Sequence, residues 1–493
     1  MKTYKHIAGM LLSVSLLAAA CTRNFDKLND DPNRPKVSTP GVMLGQLQYR
    51  IVNTTINEGR FFTHELMQVD APRSSNTGGG LHRYIITAGA GVWSNFYRYM
   101  TDIEDIYSSA DSLNEPNYKG IALIYKTWAY SILTDLYGDV PYSEATKGAS
   151  GNFLPKFDKQ ADIYPKLLAN LDQANSLFVK KALTYGGDML YKANASEKDP
   201  AGAIVKWQKF ANSLKLRLLL RILKRDGDVN VTQQIKDILA NPTTRPVFTS
   251  NDDEAIFKYP GTFPYYNPFY NTRQLEWRDQ VYFTKFFIDK LNTDKDPRRA
   301  IWAIKVKKNG VDTFSGIESG YPTSVEYAVG ANSSYVDALK TFQGLGMMMT
   351  YAELEFIKAE LSLRGFTTGS TPKQHYEKGI AASITQWGTT MPAGFTAQPG
   401  VAYNTGDTFD GQLQQIMLQK YIAYFFMDYQ SWFEKRRTGY PVLPRGTGIP
   451  AENQFPVRVP YPTYLQSLNP ESLAAAISGM GGDNTNIKVW WDK

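Results

Sequence analysis

The sequence predicts an all-α fold, a scaffold of tetratricopeptide-like helical hairpins that carries a loop-rich region with minor β structure. Three observations predict it. Amphipathic segments of about 15–20 residues recur in pairs along the chain, with apolar residues at three- and four-residue intervals. The block 241–348 breaks this pattern with Pro, Gly, Asn and aromatic residues. Aromatic residues reach 13% of the chain, with 31 Tyr, 25 Phe and 9 Trp, far more than a helical core alone requires.

Taken in order, a first helix is predicted from Val42 to about Asn57, followed by an irregular stretch over 67–91 that contains Asp70-Ala71-Pro72-Arg73 and Gly78-Gly79-Gly80. Residues 92–113 place Trp93, Phe96, Tyr97, Met100, Ile103 and Tyr107 on one helical stripe. Residues 118–136 do the same with Ile121, Leu123, Ile124, Trp128, Ile132 and Leu136, and Gly138 is placed to end that helix. Further helices are predicted over 159–178, 204–224, 350–364, 372–387 and 410–436. The pairs resemble tetratricopeptide hairpins, although their spacing is too uneven for a clean repeat of about 34 residues. Within the central block, Ile301-Trp302-Ala303-Ile304-Lys305-Val306 reads as a short β stretch. Loops held on a rigid frame are where binding residues concentrate.

The N-terminus carries an address. Lys2 and Lys5 precede the apolar run Ile7–Ala20, which is too short to span a bilayer and suits a signal peptide. Cys21, the only cysteine, follows Leu17-Ala18-Ala19-Ala20 directly. This arrangement is similar to a bacterial lipoprotein cleavage box, with Ala18 where leucine is commoner. Acylation at Cys21 would anchor the mature protein stably, because several acyl chains each contribute about 0.8 kcal/mol per buried CH₂. A secreted protein with a coincidental cysteine is the alternative. The expected organisation is a signal peptide over 1–20, a lipidated polar spacer over 21–40, and one helical domain over 41–493 with a loop-rich insert at about 241–348. The expected location is the outer membrane, lipid-anchored and surface-exposed.

Several function classes are excluded. Removing residues 1–20 deletes two lysines and no acid, so the formal net charge falls from +7 to +5, without a dense Lys/Arg stripe. Nucleic-acid binding is not expected. With Cys21 acylated, no thiol remains for catalysis or metal binding. His64, His82 and His375 lack metal-ligand spacing, so no cofactor is expected, and scattered loop carboxylates leave a structural calcium ion open. Glu353, Glu355 and Glu360 fall along one helix with Lys358 among them, which suits a solvated or hairpin-bridging face better than a glycosidase pair. Lys435-Arg436-Arg437 is expected to close a helix and bridge to neighbouring carboxylates. There is no Gly-x-Ser-x-Gly elbow, and no enzymatic activity is expected.

Aromatics outside helical periodicity mark two candidate binding segments. One runs from Gln68 to Trp93 and holds Asp70, Arg73, Asn76, His82, Tyr84 and Trp93. The other holds Tyr265, Tyr266, Phe269 and Tyr270, followed by Arg273 and Trp277. An aromatic ring can cover the apolar face of a sugar while Asp, Asn or Arg meets its hydroxyls. Trp93 opens a helical pattern and is equally placed to be core. For the tyrosines, packing within the loop and contact with a partner protein stay open.

Several motifs together resemble the SusD/RagB family of outer-membrane nutrient-binding lipoproteins, in its SusD-like 2 branch. They are Phe25-Asp26-Lys27-Leu28-Asn29-Asp30-Asp31-Pro32-Asn33, Leu136-Tyr137-Gly138-Asp139-Val140-Pro141-Tyr142, Lys206-Trp207-Gln208-Lys209-Phe210-Ala211-Asn212, Tyr351-Ala352-Glu353-Leu354-Glu355-Phe356, Trp432-Phe433-Glu434-Lys435-Arg436-Arg437-Thr438-Gly439, and the closing Trp490-Trp491-Asp492. The resemblance implies a tetratricopeptide-like scaffold with a ligand-facing loop region. It implies capture of nutrient oligomers, usually oligosaccharides and in some members peptides. It further implies a SusC-like TonB-dependent transporter as partner, with no catalysis. Ligand contacts lie outside the family motifs, so no binding residue carries over by matching.

Overall fold

In the computed structural model of the chain, residues 38–75, 80–87 and 89–493 are described. Cys21, the leader and Asn76 lie outside them. Helix α1 (Pro40–Glu58) packs on α2 (Ala90–Ser112), which pairs with α3 (Pro116–Tyr137). Next come α4 (Gln160–Leu177), α5 (Pro200–Arg221) and α6 (Val231–Ala240), with α3 on α4, α4 on α5 and α5 on α6. The central region holds only α7 (Lys285–Thr293) among its longer helices. A second set, α8 (Tyr351–Leu363), α9 (Pro372–Gln386) and α10 (Phe409–Ala423), packs α8 against both α9 and α10, and α8 also meets α5. Helices α11 (Gln430–Thr438) and α12 (Pro470–Met480) complete the frame. The fold is all-α and tetratricopeptide-like, as the periodicity predicts.

Local chemistry sets the helix limits. Pro116, Pro200 and Pro372 stand in first turns, where a missing N–H leaves no intrahelical bond unmade. Thr371 and Gln374 form a reciprocal capping box on α9. Gly138 ends α3 at φ +85°, and a Cβ there would meet the Met480 sulfur at 2.5 Å. The positive φ favours glycine at that position, and a side chain there would also have to displace the flexible end of Met480.

Buried ion pairs tie the hairpins together. Arg217 of α5 holds Glu353 of α8 through Nε at 2.6 Å and Nη2 at 2.5 Å. Arg221 reaches Asp135 of α3 at 2.6 Å. Arg437 of α11 grips both oxygens of Glu360 at 2.7 and 2.6 Å and also reaches Glu434 at 2.5 Å. Glu355 binds His375 of α9 at 2.7 Å. The acidic face of α8 is thus hairpin-bridging and buried, not solvated. The Lys435-Arg436-Arg437 run closes α11, and Arg436 and Arg437 bridge to carboxylates of other elements.

Two sequence expectations are corrected. The stretch 410–436 is two helices, because Phe426 adopts φ +64° and its N–H donates to His64 Nε2 at 2.9 Å instead of continuing a helix. Residues Tyr424 to Met427 are all buried, so the run carries no amphipathic stripe to show the break. The stretch 301–306 is mostly not β. Arg299–Trp302 is a helical turn held from below by Asp296, which accepts the Arg298 N–H at 2.9 Å.

Three two-stranded antiparallel ladders ornament the frame. Strand β1 (Asp70–Pro72) is followed by β2 (Ala255–Phe257), β3 (Val281–Phe283), β4 (Val306–Lys308), β5 (Val311–Thr313) and β6 (Gly346–Met349). β1 pairs with β3 in the register Asp70 to Phe283, Ala71 to Tyr282 and Pro72 to Val281. β2 pairs with β6, while β4 and β5 form a hairpin through Asn309 and Gly310, both at positive φ. The β1–β3 ladder pairs part of the first candidate binding segment with the strand that follows the second.

Candidate ligand site

Two π-helical turns meet across one cavity. The first, Gly59–Thr63, continues α1; the second, Leu275–Asp279, leads into β3. An extra residue in a helical turn redirects side chains, and such turns recur at functional sites. The first turn depends on Gly59, where a Cβ would lie 2.5 Å from the Met427 carbonyl oxygen. The second is anchored by Trp277, which is buried and donates its indole N–H to the Val336 carbonyl at 3.1 Å. Between them lies a cavity of about 230 Å³ lined by Arg60, Phe61, Glu65, Asp70, Pro72, Glu276, Gln280 and Val281.

Phe61 stands at this cavity with 56% of its surface exposed, and its ring meets buried Phe269 edge-on at 6.2 Å. Below it, Arg60 binds Asp70 at 2.9 Å, and both are buried. The Tyr335 hydroxyl donates to the same Asp70 oxygen. His64 Nδ1 lies 2.7 Å from the Tyr335 oxygen. Because Nε2 accepts the Phe426 N–H, the ring is neutral with its proton on Nδ1 and donates to Tyr335. Burial opposes ionisation of Asp70, but Arg60, His64 and Tyr335 outweigh it and hold the carboxyl below its usual range. Burial keeps His64 below its ordinary value.

Glu65 is the contrasting carboxylate. It accepts the His82 backbone N–H at 3.0 Å and is buried. Burial pushes it up to about 7, against the backbone hydrogen bond from His82. His82 itself packs at a tilt against Tyr321, with ring centroids 4.7 Å apart, and is pushed down to about 4 by burial and by Arg83.

The aromatic loop lies beside this cavity along α1. Tyr265 is half-buried, edge-on to Tyr49 at 5.1 Å, and its hydroxyl accepts from Gln46 at 3.1 Å. Tyr266 and Tyr270 stack at 4.4 Å with their planes 16° apart, and Tyr270 is exposed. Asn267 pins the loop by donating to the Leu339 and Phe342 carbonyls at 3.1 and 3.2 Å. Phe263, at 84% exposure, and Leu275, at 49%, extend the apolar surface. Arg273 and Glu276 pair beside it.

The predicted residues therefore divide. Asp70 lines the cavity, and Tyr266 and Tyr270 form an accessible stacked platform. Tyr265 serves mainly as loop packing. Phe269 and Trp277 are corrected to core: each is 1% exposed, and they meet each other at 5.2 Å. Trp93 is core as well, packed edge-on against Tyr137 at 5.0 Å and Tyr461 at 5.8 Å. Tyr84 is buried against Phe455 at 5.2 Å, and Arg73 is engaged by Glu326 and the Tyr327 carbonyl. Arg60, Phe61, Glu65, Glu276 and Gln280 were not singled out from sequence. The adjacent Phe61-Phe62 pair at the end of α1 was the available signal, since one helical face cannot bury both.

Among the described residues, no group of three or more His, Cys, Asp or Glu is placed to hold a metal ion. None of their helices is long and apolar enough to cross a membrane. A tetratricopeptide-like frame presenting an aromatic surface beside a polar cavity defines a helical-repeat binding protein. Its principal carboxylate face, on α8, is occupied by cations and contributes no acid–base pair. The chain belongs to the SusD-like 2 family, described as starch-binding associating with the outer membrane, whose profile matches residues 32–462. This is a family of nutrient-binding outer-membrane proteins.

Solved structures agree on the fold. A SusD homologue from Bacteroides fragilis is 24% identical with a TM-score of 0.79, covering 92% of this chain and 99% of its own. A chitin-binding SusD homologue from Flavobacterium johnsoniae is 22% identical with a TM-score of 0.76, covering 92% and 98%. A chitin-binding protein is 26% identical with a TM-score of 0.74, covering 92% and 100%. No curated protein matches the chain.

Proposed function

We propose that this protein is a surface lipoprotein, anchored through Cys21, that captures nutrient oligosaccharides and passes them to a SusC-like TonB-dependent transporter without breaking bonds. The observation that carries the glycan reading is the convergence of two π-turns on one cavity, with exposed Phe61 beside Arg60, Asp70, Glu65 and Gln280. A pyranose offers an apolar face to Phe61 and hydroxyls to these polar groups. The Tyr266–Tyr270 stack extends the surface for further sugar units. Two similar structures are of chitin-binding proteins, which supports a glycan ligand.

The transporter reading rests on the family. A lipoprotein without catalytic groups gains its use from proximity, and avidity on a membrane raises local ligand supply to a neighbouring channel. Isothermal titration of the full chain against a panel of neutral and amino-sugar oligomers tests the ligand class. Saturable heat with at least one glycan is expected, weakened by Phe61→Ala. Binding to oligopeptides with no response to any glycan would replace this reading by peptide capture.

A further inference from the structure

The groups around the cavity are unevenly balanced. Arg60 faces it but is already bound to Asp70, and Glu276 is paired with Arg273. Glu65 is different. Its hydrogen bonds come from backbone N–H groups, those of His82 and Leu81, no cationic side chain among the described residues forms a salt bridge with it, and only 8% of its surface is exposed. Burying a carboxylate without a counter-charge is costly unless a partner arrives or a proton is taken up. The other titratable or charged groups facing it are Arg60 and Asp70 beside it, His82 and Tyr321 behind it, and Glu276 from the second π-turn. Asp70 and Glu276 are acidic, and burial and Arg83 keep His82 neutral near pH 7. The cavity therefore lacks one positive charge, and its mouth carries an exposed aromatic ring suited to a pyranose face or to a cation.

We propose that this cavity receives the protonated amino group of an amino sugar, with Glu65 as its counter-charge and Phe61 against the sugar ring. The inference rests on the glycan reading and narrows it to glycans that carry free amino groups. Acidic polysaccharides fit poorly, because a uronate would face Glu65, Asp70 and Glu276. The proposal carries a proton signature. Glu65 holds a proton at mildly acidic pH and loses it when an ammonium group sits beside it, so capture releases a proton to the buffer.

The test is titration calorimetry of the full chain at pH 6 in two buffers of different ionisation enthalpy. The probes are a glucosamine hexamer, the N-acetylglucosamine hexamer and a neutral glucan hexamer. The glucosamine hexamer is expected to bind about tenfold tighter than its N-acetylated counterpart and to release about one proton. Glu65→Gln is expected to bring the glucosamine and N-acetylglucosamine hexamer affinities within about twofold of each other and to abolish the proton release. Equal binding of both hexamers by the wild type, without proton release, overturns the inference and leaves the glycan reading standing. Failure of all three sugars overturns the glycan reading itself. Glu65-dependent binding of a lysine tripeptide with no sugar binding overturns both.

Discussion

Phe61 and Phe269 meet edge to face with centroids 6.2 Å apart, the outer ring 56% exposed and the inner 1%. The pair joins the accessible surface to the core. Phe269 continues inward to Trp277 at 5.2 Å and Phe426 at 5.7 Å. The two rings therefore have separable roles. Phe61→Ala is expected to weaken glycan binding about tenfold and change stability by under about 1 kcal/mol, since little packing is lost. Phe269→Ala is expected to cost about 3–5 kcal/mol of stability, as a large core truncation does. Titration calorimetry and urea denaturation read the two effects independently.

The ion pair between Arg437 and Glu360 is buried, bidentate and shared with Glu434. Arg437→Ala removes the bidentate partner of Glu360 and the closest cation of Glu434, leaving Arg364 on the first and Lys420 and Arg221 on the second, and is expected to destabilise by about 3 kcal/mol. Burial opposes ionisation of Glu360 and Glu434, yet Arg437 leads the cations that hold both below the ordinary value of 4.5. Their contribution is present above the unfolded value and lost as pH falls through the folded ones. Urea midpoints of the wild type should therefore drop steeply below pH 4.5, and Arg437→Ala should flatten that drop.

Glu65 and His82 act with opposite sign between pH 7 and pH 4. Glu65, raised from 4.5 to about 7, takes a proton in the folded state first, so it adds stability as pH falls from 7 to 4.5. His82, lowered from 6.5 to about 4, is protonated first in the unfolded chain, so it removes stability as pH falls from 6.5 to 4. Each contributes a slope of about 1.4 kcal/mol per pH unit at most. Relative to the wild type, Glu65→Gln should lose stability more steeply on acidification, and His82→Asn less steeply. Thermal or urea midpoints across that range decide it.

Gly59→Ala places a Cβ against the Met427 carbonyl and forces the first π-turn to shift. The expected outcome is a loss of about 1–3 kcal/mol in stability together with weaker glycan binding, because Arg60 and Phe61 ride on that turn. Binding unchanged despite lost stability would separate the turn from the site.

Much of the scaffold is legible because each helix needs only one apolar stripe. Trp128, Leu171, Trp207 and Phe356 declare their helices locally, and Gly138 marks an end by backbone geometry alone. The break after α10 is hidden because Phe426 is captured by His64, a residue far away in sequence. The site is legible only in outline. Asp70 and the 265–270 loop fall in segments whose composition suits sugar contact. Trp277 and Phe269 look the same in sequence as Tyr270, and only packing against Phe426 and Tyr335 distinguishes core from surface. Arg60 and Glu65 carry no local sign of function, since an ordinary helix would place them in salt-bridged or solvated positions.

The central claim is non-catalytic glycan capture at the Phe61 cavity, and the most direct measurement is titration calorimetry of wild type and Phe61→Ala against the glycan panel, with product analysis after prolonged incubation. The account predicts saturable binding by the wild type, about tenfold weaker binding by Phe61→Ala, and intact oligomers afterwards. Equal binding by both proteins, or steady cleavage of the bound glycan, would contradict it.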